Sequence, residues 1–271
     1  MKRLSLLFVL AAGIILSSCS KKSPEFVNSI PDDAIAVASL HPMQLHSKSQ
    51  INTFEKIKEK VKGEVWSQIL EDPLSTGLML DEYTYVFLKM EAGAPVIGVV
   101  SGMKDLEKFR STLNKIDENI SEEFTEMEGY IYVQPDKEGV VAWNEKQVIV
   151  LASPDNDEFE TSYWTTTLDQ MFNPVKEESI TSLVDFKDFQ GKMKDLNVWL
   201  SSDKMMDLVK KIMENKDMEV EFPDLPVALY NNYAQVFFDF DNGQLNVSGE
   251  THFSEEVKKN VEEFLVMNPE L

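Results

Sequence analysis

The chain has 271 residues and a single cysteine, Cys19, which stands at the end of an apolar run near the start. No disulfide can form within one chain, so the fold must be held by its core alone. Met1-Lys2-Arg3 is short and positive, and the stretch from Leu4 to Leu16 is apolar or small. A membrane-spanning helix needs about 20 such residues, so this shorter run suits the apolar region of an export signal and implies no transmembrane anchor.

The end of that run, Leu16-Ser17-Ser18-Cys19, has the form of a bacterial lipobox: a Leu three places before an obligatory Cys, with small residues between. On this reading residues 1–18 are a lipoprotein signal peptide and Cys19 becomes the acylated first residue, the site that would carry palmitate. Each buried methylene contributes about 0.8 kcal/mol and one acyl chain holds only marginally, so two or three chains on Cys19 would hold firmly a domain that stays in water. Ser20-Lys21-Lys22-Ser23-Pro24-Glu25 lacks an apolar period and reads as a flexible tether, residues 19–25.

About 250 residues remain beyond the signal, enough for one large or two small domains with a sizeable core. Acidic residues outnumber basic ones 47 to 26, for a net charge of −21, and removal of Lys2 and Arg3 makes it more negative still. Such a field repels nucleic acid and anionic headgroups, and no Lys/Arg cluster interleaved with aromatics interrupts it. Nucleic acid is therefore excluded as a partner, and the acidity reads as a solvated surface.

From Phe26 the chain reads as folded. Ile30-Pro31-Asp32-Asp33 is a turn into an apolar strand, Ala34 to Leu40. Ile51, Phe54, Ile57, Val61 and Val65 step by three and four, which predicts a helix buried on one face. Tyr83 to Met90 and Val96 to Met103 read as a hairpin, followed by helical spacing at Leu106, Phe109, Leu113 and Ile116. Residues 130–135, 139–144 and 147–153 read as a meander. Asp155 to Asn173, acidic and then aromatic, forms a partly helical junction. Beyond it come a helix over Ile180 to Met193, a strand at Leu196 to Ser201 and a helix from Asp203 to Met213. The acidic, proline-containing stretch from Asn215 to Pro226 reads as a loop.

The end of the chain repeats an earlier unit. Ala234 to Phe240, the pair Asn242-Gly243, a strand from Gln244 to Phe253, and Val257, Val261, Phe264 and Leu265 at helical spacing give strand, turn, strand, helix. Gly243 is offset from Gly93 as Val236 is from Val86. The expected fold is α+β with two related halves, 26–157 and 158–271, each an antiparallel sheet covered by helices.

Ile30-Pro31-Asp32-Asp33-Ala34 before an apolar strand, together with Asp72-Pro73-Leu74-Ser75-Thr76-Gly77-Leu78 before the strand at Tyr83, resembles an uncharacterised family of Bacteroidota envelope lipoproteins, a domain of unknown function of the DUF4836 kind. The resemblance covers most of the mature chain. It implies a lipoprotein location and offers no catalytic residue. Read physically, Asp72-Pro73 stops a helix and Gly77 can supply a positive φ.

Several chemistries are set aside. His41 and His46 are five apart, a spacing that does not share a helical face, and His252 stands alone, so no metal is expected. Gly98-Val99-Val100-Ser101-Gly102 misses the spacing of a nucleophile elbow. Asp239, Asp241, Asn242 and Gly243 place phenylalanines where a calcium loop needs oxygens, and Asn-Gly between strands predicts a type I′ turn instead. Asp155, Asp157, Glu158 and Glu160 read as a solvated loop. Tyr163 and Trp164, among serine and threonines, are the candidate platform for a sugar or partner, with core packing as the plainer reading; Trp66, Trp143 and Trp199 read as core.

The expectation is a non-enzymatic binding or assembly module without a cofactor, anchored by Cys19 in the outer membrane of the cell envelope, with an envelope protein or glycan as its partner. Lysines rather than acids follow Cys19, which favours the periplasmic face over the cell surface. The alternative is an enzyme acting on envelope glycans.

Overall fold

A computed structural model describes residues 24–49, 72–135, 138–153, 159–202, 204–205, 232–241, 243–255 and 258–259. Its centre is one ten-stranded antiparallel sheet. The strands are β1 (Ala36–Leu40), β2 (Thr84–Glu91), β3 (Ala94–Gly102), β4 (Thr125–Met127), β5 (Tyr130–Val133), β6 (Gly139–Trp143), β7 (Gln147–Ala152), β8 (Leu196–Ser201), β9 (Tyr233–Asp241) and β10 (Gln244–His252), in the order β10-β9-β8-β1-β2-β3-β7-β6-β5-β4. The helices are α1 (Pro42–Ser49), α2 (Leu106–Ile116), α3 (Thr161–Phe172) and α4 (Val184–Lys192).

Alternation builds the two faces. In Thr84-Tyr85-Val86-Phe87-Leu88-Lys89, every second side chain is buried, and the same period runs through β1 and β8. On one face Val37, Tyr85, Phe87, Ile149, Leu151 and Trp199 meet Trp164, Leu168 and Met171 of α3 and Phe186 and Phe189 of α4. On the other, Val133, Trp143 and Val148 are covered by Phe109 and Leu113 of α2. Each fully buried aromatic or aliphatic side chain contributes about 1.5 to 3 kcal/mol, which is how a chain with one cysteine holds its shape. Asp105 caps α2 by accepting from the Lys108 N–H at 3.1 Å.

The expected hairpin, meander and C-terminal strands are present, and the fold is α+β on a large antiparallel sheet. Strand contributions from the two expected halves meet edge to edge: β1 pairs β8, with Ala38 opposite Val198. One sheet forms where two were expected, because joining the edges satisfies backbone groups that separate sheets would leave open. Ala38 lies opposite Val86, and Val198 lies opposite Val236. Val86 then faces Val99, and Val236 faces Gly249. Both hairpins close at a glycine with positive φ, Gly93 at 88° and Gly243 at 83°.

Two local differences from the sequence reading stand out. A short strand, β4, adds to the meander through Glu128-Gly129, where Gly129 has φ 93°. The helix expected over Ile180 to Met193 starts as a 3-10 turn at Ile180–Ser182, is interrupted by extended Leu183, and becomes α4 only at Val184. Ser179 caps the start of that turn by accepting from the Thr181 N–H at 3.2 Å. The helices expected at 51–65, 203–213 and the C-terminus, and the loop at 215–226, lie wholly or mostly outside the described residues.

A buried carboxylate ties α1 to the sheet. Asp195, 1% exposed, accepts from Lys48 Nζ at 2.9 and 2.8 Å and from the Phe240 N–H at 2.8 Å. The hydrogen bond to Asp195, resisted in part by desolvation, raises the Lys48 pKa.

Candidate functional site

A 3-10 turn, Glu25–Ser29, opens the described fold and packs into the sheet through Phe26, Val27 and Ser29, all buried. Proline at position 24 fixes the entry, and the Val27 N–H bonds back to its carbonyl at 3.1 Å. Ser29 is held by Gln147 of β7: its Oγ donates to Oε1 at 3.2 Å and accepts from Nε2 at 2.9 Å. Asn28 Oδ1 accepts from the Thr181 hydroxyl at 2.6 Å. These bonds fix the turn as a ridge between two clefts, both of which it helps to line.

The larger cleft, about 720 Å³, has an apolar wall of Phe26, Met79, Met103 and Phe172, with Asn144 and Gln147 among its polar groups and Glu25 and Lys146 among its charged ones. Its volume falls in the range of small-molecule sites. The smaller one, about 190 Å³, is bordered by Asp32, Asp33, Glu178 and Lys89. Lys89 is buried on β2, 3.4 Å from Asp33 and 3.1 Å from Glu91. Burial alone would lower its pKa, but the two carboxylates outweigh that and raise it, so it stays an ammonium and is no base. Glycoside cleavage needs two carboxylates facing across about 5 to 9 Å with a sugar between, and this cleft is below the usual volume of a ligand site. Among the described residues, neither cleft is lined by an imidazole or a thiol. The lining of the larger cleft offers a ligand apolar surface beside side-chain amides.

The structure does not bring the sequence candidates together. Cys19 lies outside the described residues, as do Asp155, Asp157 and Glu158. Trp164 is buried in the core, edge-on to Phe159 at 5.4 Å, and a ring without an exposed face offers nothing to a sugar. Tyr163 is half-buried and stacked on Phe159 at 4.1 Å; burial raises the pKa of its hydroxyl. His41 is buried against Tyr83, ring centres 5.2 Å apart, with Nδ1 accepting from the Gln44 N–H at 3.4 Å. His46 is on α1, and His252 stacks on Tyr233 at 4.3 Å.

Among the described residues, Asp188, Glu250 and His252 come within reach of a common ion, their ligand atoms lying within 4.8 Å of one another. Lys192 supplies the cation there, 2.8 Å from Asp188 and 2.5 Å from Glu250. Its hydrogen bond lowers the Glu250 pKa, and the same bonds raise that of Lys192. Sequence reasoning missed this cluster; the i,i+4 spacing of Asp188 and Lys192 signalled the helical part, and nothing local signalled Glu250. Lys89 was missed as well, although its inward parity on β2, where a lysine demands acidic neighbours, was a signal.

The family model for Domain of unknown function (DUF4836) matches residues 26–265. No curated protein matches the sequence. A solved structure, crystal form I of TP0453, is similar at 10% identity, covering 87% of this chain and 81% of that one with a TM-score of 0.47.

Proposed function

The chain belongs to the family defined as a domain of unknown function, DUF4836, and from that premise we propose that it is a lipid-anchored envelope protein that binds or assembles partners without catalysis. The observation that carries this reading is the lipobox Leu16-Ser17-Ser18-Cys19, placed a few residues ahead of Pro24, where the described residues begin. Acyl chains on Cys19 would hold the domain at the outer membrane, and the tether at 19–25 would set the cleft beside Glu25–Ser29 near the bilayer. No helix among the described residues is long and apolar enough to cross a membrane.

The domain is built from two related halves, 26–157 and 158–271. Supporting this are the matched registers Ala38-Val86-Val99 and Val198-Val236-Gly249, and the two glycine-closed hairpins. The partner is an envelope protein or glycan held in the larger cleft. Lys21 and Lys22 beside Cys19 favour the inner leaflet's anionic headgroups, at up to about 1 kcal/mol each, and hence the periplasmic face.

Growth with an alkyne palmitate analogue tests the anchor: wild type should take up label and Cys19→Ala should not. A labelled, membrane-sedimenting Cys19→Ala would sink the proposal. Protease added to intact cells reads the orientation; a domain shaved without permeabilisation lies on the cell surface and contradicts the periplasmic assignment.

A further inference from the structure

One end of the sheet is closed by β4, three residues long and carrying Glu126, a short charged edge of the kind that discourages pairing. Among the described residues, the other end has no such protection. β10 has nine residues, all exposed, with no proline, no lysine and a single carboxylate, Glu250. Leu245 and Val247 are 52% and 57% exposed. Among the described residues only β9 pairs with it. The strand in the matching register, β3, is paired on the corresponding edge: β7 lies against it antiparallel, with Val99 opposite Val150. The open edge of β10 is thus placed where its counterpart accepts an antiparallel strand.

We propose that β10 accepts the β10 of a second copy of this chain, antiparallel about a two-fold axis at Ser248, the middle of the strand. That register overlaps the whole strand and is self-complementary. Val247 falls opposite Gly249, a branched side chain over an empty position, and Asn246 falls opposite Glu250, so no like charges meet across the joint. The joint repeats between copies what β1 and β8 do within one, where two strands of distant sequence pair edge to edge. An edge pair alone buries less than the roughly 800 Å² per partner of a standard stable interface, so the dimer is weak and concentration-dependent.

Full-length protein carrying Cys19→Ser and Ser248→Cys, so that no other thiol competes, tests the register. Residues directly opposite in an antiparallel pair have Cα atoms about 4.5 to 5.5 Å apart, within disulfide range. Mild oxidation should give a covalent dimer, whereas Asn246→Cys in the same background should not, because Glu250 faces it. Analytical ultracentrifugation of the Cys19→Ser protein should show a monomer–dimer equilibrium, and adding Ser248→Lys should weaken it about fivefold or more. A protein that stays monomeric at several hundred micromolar, a dimer that Ser248→Lys leaves unchanged, or equal crosslinking from Ser248→Cys and Asn246→Cys would each overturn the proposal.

Discussion

Gly98→Ala is the substitution whose cost the sheet geometry fixes most closely. Gly98 of β3 lies opposite Phe87 of β2, and the phenyl ring occupies the space a side chain would need. An added Cβ would stand 2.1 Å from both Cε1 and Cζ of Phe87 and 2.8 Å from Cε2. The ring is 1% exposed and belongs to the main core cluster, so it cannot swing aside without displacing its neighbours. Overpacking of this kind costs about 1 to 3 kcal/mol, and alanine recovers about 0.5 to 1 kcal/mol of the backbone entropy that glycine loses in a strand. The net expectation is a loss of about 1 to 2 kcal/mol, or roughly 2 to 8 °C in Tm for a domain of this size. Urea unfolding followed by tryptophan fluorescence reads it, since Trp143, Trp164 and Trp199 are all buried. With Phe87→Leu present the clash is relieved, and adding Gly98→Ala should then be neutral or stabilising, a coupling of at least about 1 kcal/mol. A single Gly98→Ala that melts with the wild type, or costs that simply add, would refute the reasoning.

Asp195→Asn should cost about 1 to 3 kcal/mol in urea unfolding, at the low end of values for broken buried pairs because Lys48 is about one-third exposed; an unchanged midpoint would count against the tie between α1 and β8. Trp164→Ala should cost about 3 to 5 kcal/mol, whereas a ligand platform would lose binding with little change in stability. Burial raises the Tyr85 pKa above its ordinary 10.0, with Tyr130 shifted the same way. The folded state therefore keeps these protons longer than the unfolded chain. Stability should be level below about pH 10 and fall as pH rises beyond it, and Tyr85→Phe should reduce that fall; an alkaline slope untouched by Tyr85→Phe would contradict the assignment.

What was legible in the sequence was whatever period and turn chemistry write locally. Alternation in Tyr83 to Met90 and the glycines at 77, 93 and 243, all with positive φ, gave strands and turns correctly, and the spacing of Leu106, Phe109 and Leu113 gave α2. The joint between β1 and β8 was not legible, because edge pairing depends on which open strands meet in space and leaves no spacing in the chain. The exposed short strand β4 has no buried face to impose an alternation, and so gave no signal. At the clefts the same limit holds. The pairing of Ser29 with Gln147 joins residues from distant parts of the chain and leaves no local spacing to read. Tyr163-Trp164 attracted attention as an aromatic pair, while its burial is set by α3 packing on β6.

The lipid anchor is the central claim, and the mature N-terminus tests it most directly. Tryptic cleavage after Lys21 would release Cys19-Ser20-Lys21, and mass spectrometry of this peptide from detergent-extracted protein should show a glyceride thioether with two acyl chains, with or without a third on the amine. A chain that starts elsewhere, or an unmodified Cys19 thiol in the membrane fraction, would contradict the account.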